Sequence, residues 1–143
     1  MTDLNDILDT KGSDFKRPPL APTGTYLCTI QKREFGKSSK KQTPYVRYTY
    51  INPIPQDDIE PEDLADIDLS KRTFRDDFYL TEDATYRVRE HGEICGVDPD
   101  LSIREIIEEV VAKQVLVSVV QVPSMREGSD DMYNEVRGYA AVE

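Results

Sequence analysis

The sequence predicts a mainly β domain with a helical insert, an α+β fold whose five short strands run in the order β-β-β-α-β-β. Three observations predict it. Five segments carry strand-type composition, at residues 25–33, 45–51, 72–81, 114–122 and 133–142, and helical spacing is confined to the stretch between the third and the fourth. Turn-forming Gly, Pro and Ser residues separate the members of each neighbouring pair. At 143 residues the chain can close one hydrophobic core and is too short for two. With 38% apolar and 32% charged residues it suits a soluble globular protein, and no window approaches the roughly 18 apolar residues of a membrane-spanning helix. We therefore expect an N-terminal arm over residues 1–22 and one domain over residues 23–143.

The arm is acidic, ends in RPPLAP and lacks the basic-then-apolar order of a secretory signal, so a cytoplasmic location is expected. In that compartment Cys28 and Cys95 are thiols, with neither the number nor the spacing for a disulfide framework or a zinc site. TYLCTIQKR is the first strand, with Tyr26, Cys28 and Ile30 on one face. EFGKSSKKQTP reads as a mobile loop and YVRYTYI as the second strand. Residues 53–71 form an acidic insertion with seven acids between positions 57 and 68. It reads first as solvated linker, then as docking segment, then as phosphate mimic. RTFRDDFYLT is the third strand, facing Phe74, Phe78 and Leu80 inward. Thr81 with Glu82 and Asp83 predicts a helix opening there and ending at Gly96, and Ser102 with Glu105 a capping box for a second helix. QVLVSVVQV is a buried fourth strand. In YNEVRGYAAV the fifth strand sets Val136, Gly138, Ala140 and Val142 against Glu135, Arg137 and Tyr139.

Five strands with a helix between the third and fourth is the order of an OB-fold, a partly open barrel that binds oligonucleotides or oligosaccharides across strands 2 and 3 and the loops 1-2 and 4-5. The lysine-rich loop falls at loop 1-2 and the Arg126 segment at loop 4-5. With Gly24-Thr25-Tyr26 opening the first strand, a basic loop before Tyr45-Val46-Arg47-Tyr48, and Tyr133-Asn134-Glu135-Val136 opening the last, the chain resembles small phage-encoded single-stranded-DNA-binding proteins of the OB type, from about Gly24 to Val142 with gaps. The resemblance implies coating of single strands in phage replication or recombination, without enzymatic activity or cofactor. It also implies recruitment of replication or recombination partners through an acidic tail. This chain ends in GYAAVE, so recruitment would fall to the acidic arm or the 57–68 insertion. Self-association through a strand edge or the arm is open.

The charge distribution points the same way. The formal net charge is -10, yet residues 31–50 hold Lys32, Arg33, Lys37, Lys40, Lys41 and Arg47 against Glu34 alone. Binding of single strands needs cations that follow phosphates and aromatic faces that stack on bases. Alternation puts Tyr45 and Arg47 on one face and Val46, Tyr48 and Tyr50 on the other, and an unpaired arginine belongs outside. On the third strand Arg75 and Tyr79 face out once Phe74 and Phe78 face in. The candidate nucleic-acid-binding residues are Lys32, Arg33, Lys37, Lys40, Lys41, Tyr45, Arg47, Tyr48, Arg75, Tyr79, Arg126 and Arg137, with Tyr48 included because the sequence leaves the facing of Tyr48 and Tyr50 open. The alternative is a protein-interaction module whose basic loop docks an acidic partner, the tyrosines being sheet core. The pairs Asp57-Asp58, Asp76-Asp77 and Asp130-Asp131 lack the partners a metal-dependent nuclease needs, and the single His91 has no nucleophile beside it. Neither GxxxxGK[ST] nor GxGxxG occurs.

Overall fold

A computed structural model describes residues 4–14, 19–123 and 132–142. A short helix α1 (Leu4–Asp9) precedes the domain. There follow β1 (Gly24–Lys37), β2 (Pro44–Pro55), β3 (Phe74–Tyr79), α2 (Tyr86–Ile94), α3 (Ile103–Glu109), β4 (Gln114–Pro123) and β5 (Met132–Ala140). The strands make one sheet in the order β3-β2-β1-β4-β5, antiparallel at every pairing. The order of strands and of the helices α2 and α3 is the one the sequence predicts, and the fold is mainly β with these two helices between β3 and β4.

The core lies on one face of the sheet. Tyr26, Cys28 and Ile30 of β1, Val46, Tyr48 and Tyr50 of β2, Phe74 and Phe78 of β3, and Val115, Val117 and Val119 of β4 are all buried, as period-two alternation requires. Val88 and His91 of α2 and Ile106, Ile107 and Val110 at α3 cover them. Burial pushes the Cys28 thiol up to about 12 and the Cys95 thiol to about 11, and both are unbridged.

No backbone ladder joins β3 to β5 among the described residues, but the two sheet edges approach and a buried polar chain ties them. The Tyr139 hydroxyl donates to Asp76 Oδ2 at 2.5 Å and the Tyr50 hydroxyl donates to Tyr139 at 2.9 Å. With its proton committed, Tyr50 accepts from His91 Nε2 at 3.0 Å. That assigns the Nε2–H tautomer and leaves Nδ1 a buried lone pair without a partner. Desolvation lowers the His91 pKa to about 4 and raises that of Asp76.

Four expectations are corrected. The first strand runs on through Phe35 and Gly36 to Lys37, so the connection to β2 is only residues 38–43. That turn is pinned rather than loose, with Ser38 N–H donating to Thr43 O at 2.9 Å and Thr43 N–H to Ser38 Oγ at 3.0 Å. The helix expected from Thr81 opens only at Tyr86, Thr81 instead holding a preceding turn through Ala84 and Thr85; Gly96, at φ 86°, ends it as expected. In β5 a register shift against Ser118/Val119 inserts a residue between Val136 and Tyr139, so both lean on the core and strict alternation fails. The capping box forms, Ser102 Oγ accepting from Glu105 N–H at 3.2 Å.

The acidic insertion is packed in place. Asp58 accepts from Thr25 N–H at 3.0 Å and from its hydroxyl at 2.8 Å, Ile59 is buried, and Leu64 and Leu69 lie against the core. It leaves β2 beside the Tyr26–Pro55 pair, at the opposite end of the hairpin from the lysine turn beyond Lys37–Pro44. No described helix is long and apolar enough to cross a membrane.

Candidate nucleic-acid interface

Register builds the site. Three rows run across the face of β1, β2 and β3 opposite the core: Gly36, Tyr45 and Tyr79; Glu34, Arg47 and Asp77; Lys32, Thr49 and Arg75. Val46, Tyr48, Tyr50, Phe74 and Phe78 take the alternate positions inward, which leaves these rows on the other face; Thr49, expected to share the outward face of Tyr45 and Arg47, is nevertheless buried at 4% exposure. The two tyrosines of the first row meet edge to face, centroids 6.3 Å apart at 79°, and Tyr79 is 43% exposed. The Arg47 guanidinium stands 5.4 Å from the centre of the Tyr45 ring.

Pairing sorts the cations. Arg47 donates to both Asp77 oxygens, at 2.6 and 3.0 Å, which holds its guanidinium more firmly charged than usual. Lys32 sits 3.0 Å from Glu34 and keeps that carboxyl below its ordinary range. Lys37, Lys40, Lys41 and Arg75 are exposed and make no ion pair among the described residues. Four cations are thus available to an anion, and two are tethered.

Two depressions flank Tyr79. One, of about 520 Å³, lies between it and the lysine turn and is lined by Ser38, Lys40, Lys41 and Thr81. The other, of about 770 Å³, runs over Arg47 and Arg75 to Tyr133 and Asn134 on β5. Every carboxylate in this second cleft already has a partner: Asp76 with Tyr139, Asp77 with Arg47, and Glu135 with Arg137 at 2.6 Å. The face therefore offers hydrogen-bonding and aromatic surface on both sides of Tyr79, with Asp77 and Glu135 neutralised by arginines and Asp76 hydrogen-bonded to a neutral hydroxyl.

Of the candidates, Lys32, Lys37, Lys40, Lys41, Tyr45, Arg47, Arg75 and Tyr79 come together on or beside this face. Tyr48 does not. It is fully buried, stacked on His91 with centroids 4.8 Å apart, and Tyr50 is buried with it. Arg33 is also elsewhere, since register puts it opposite Tyr48 on the other face, where it pairs with Glu108 at 3.0 Å and covers Phe35. Arg137 is exposed on β5 and held by Glu135. Arg126 and Asp130-Asp131 lie outside the described residues. Two residues of the site escape the sequence reading. Tyr133, 40% exposed in the cleft, signals itself only by sharing a strand face with Glu135, and Gly36 becomes visible only through the ring above it. Among the described residues no cluster of His, Cys, Asp or Glu could hold a metal ion. No family model matches this chain, and no curated protein matches it.

Proposed function

We propose that this chain is a non-enzymatic single-stranded-DNA-binding protein of the OB type, of the kind phages encode to coat strands during replication or recombination. The β3-β2-β1-β4-β5 order, with β3 and β5 approaching across the remaining gap, supports an OB-type barrel. The observation that carries the function is the outer face of β1-β2-β3, where four cations without an ion pair among the described residues lie around the Tyr45–Tyr79 pair between two depressions. Lys37, Lys40, Lys41 and Arg75 neutralise phosphates; Tyr45 and Tyr79 stack on bases, with Tyr133 continuing the platform. Partner recruitment falls to the arm rather than the insertion, because Leu4, Ile7 and Leu8 of α1 are exposed whereas the insertion's apolar side chains are used in the core.

Filter binding of labelled poly-dT across a salt series tests the reading. Neutralising four phosphates of a single strand gives a slope of log affinity against log salt of about -3. Single strands should be favoured over duplex of the same length, and strand length should be unchanged after incubation with Mg²⁺. A salt-independent affinity, or equal binding of duplex, overturns the proposal and leaves the protein-interaction module as the better account.

A further inference from the structure

We propose that Gly36 is a positioning residue for the Tyr45 stacking surface, its missing side chain being the berth in which the Tyr45 ring lies. The inference rests on the stacking role given to Tyr45 above. Gly36 is Tyr45's direct partner across the β1–β2 ladder. A Cβ added to Gly36 would stand 2.6 Å from both Cζ and Oη of Tyr45 and 3.1 Å from Cε2. Those are overlaps, so the far end of the ring lies across the β1 backbone at a position without a side chain.

Backbone conformation does not explain this glycine. Among the described residues the glycines with positive φ are Gly24 and Gly96, and Gly36 is not one of them, so its φ does not call for glycine. Inside a strand, glycine is the weaker choice. Space is the remaining explanation. The atoms a methyl group would meet belong to the tip of a side chain, so the ring moves and the ladder stays. The ring is otherwise bounded by the edge of Tyr79 and by the Arg47 guanidinium. Pushed from Gly36, it must turn against one of these, and the tyrosine pair no longer presents the same surface to a base. A purely structural aromatic-over-glycine contact would support the strand without touching ligand affinity.

A double-mutant cycle on the full chain separates the two, with poly-dT as probe and wild type, Gly36→Ala, Tyr45→Ala and the double variant compared. Gly36→Ala should weaken binding roughly five- to twentyfold, part of one stacked base. Its salt slope and melting temperature should match wild type, and its tyrosine near-UV circular dichroism should change in the absence of DNA. Once Tyr45 is alanine, the added methyl group should change neither affinity nor spectrum. Equal loss in both backgrounds, or wild-type affinity in Gly36→Ala while Tyr45→Ala weakens, overturns the inference alone. If Tyr45→Ala itself binds as wild type, the stacking role fails and the inference fails with it.

Discussion

At the scale of single residues, the face is set by which charges are already spent. Asp77 and Arg47 form a bidentate pair with about a third of each side chain exposed, so the pair contributes at most about 1 kcal/mol to stability. On the proposed function it would matter more as a brake on binding, because it cancels a cation that alternation places at the centre of the face. Asp77→Asn should leave the melting temperature nearly unchanged, tighten poly-dT binding at low salt and steepen the salt slope by about 0.7, one further phosphate. Weaker binding would mean that Asp77 holds Arg47 in its working position instead. In the core, Tyr139→Phe removes the donor to Asp76 and leaves a buried carboxylate without that partner, which should lower stability by about 1–3 kcal/mol in chemical denaturation. A variant as stable as wild type would show that water takes the hydroxyl's place.

At the scale of elements, the β1–β2 hairpin carries opposite charge at its two ends. The lysine turn follows Lys37, and the acidic insertion follows Pro55, opposite Tyr26. Eleven residue steps along β1, from Tyr26 to Lys37, separate these ends, about 35 Å at the rise of a strand. The insertion is anchored at its own end by Asp58 and Ile59, so its acids do not lie over the lysine turn of the same chain. Of its three readings, phosphate mimicry within one molecule has no support. Replacing Glu60, Glu62 and Asp63 by their amides, all three exposed, should change poly-dT affinity less than twofold at low salt. Tighter binding by the neutralised variant would restore the mimic.

At the scale of the whole molecule, the chain from His91 through Tyr50 and Tyr139 to Asp76 couples stability to pH. His91 is neutral in the fold, its pKa lowered to about 4 by desolvation and by Arg87, whereas the unfolded chain protonates it near its ordinary value. Between those values the unfolded state takes up the proton and the folded state does not. Stability is therefore complete above the unfolded value and falls as the pH drops, by about 2 kcal/mol at about pH 5. Asp76 works in the opposite sense, since burial raises its carboxyl and lets the folded state accept a proton more readily. Urea midpoints near pH 7 and about pH 5 should differ by more in wild type than in His91→Gln; equal differences would show that the ring is solvated.

Much of this was open to a reader of the sequence. Strand count and order, the inward set Tyr26, Cys28 and Ile30, and the outward pair Tyr45 and Arg47 follow from period-two alternation, a local property that each strand carries by itself. Tyr48 and Arg33 show where local rules stop. Both lie in strands as expected, but whether a strand position meets a core or solvent depends on which helices cover the sheet, and a bulge between Ile30 and Lys32 shifts the pairing of β1 against β2 just before Arg33. The residues of one chain segment thus determined the elements and the excess of positive charge. Only the tertiary structure decided which cations remain unpaired, because Asp77, Glu108 and Glu135 reach Arg47, Arg33 and Arg137 through ladder register and helix packing, contacts that no single element specifies.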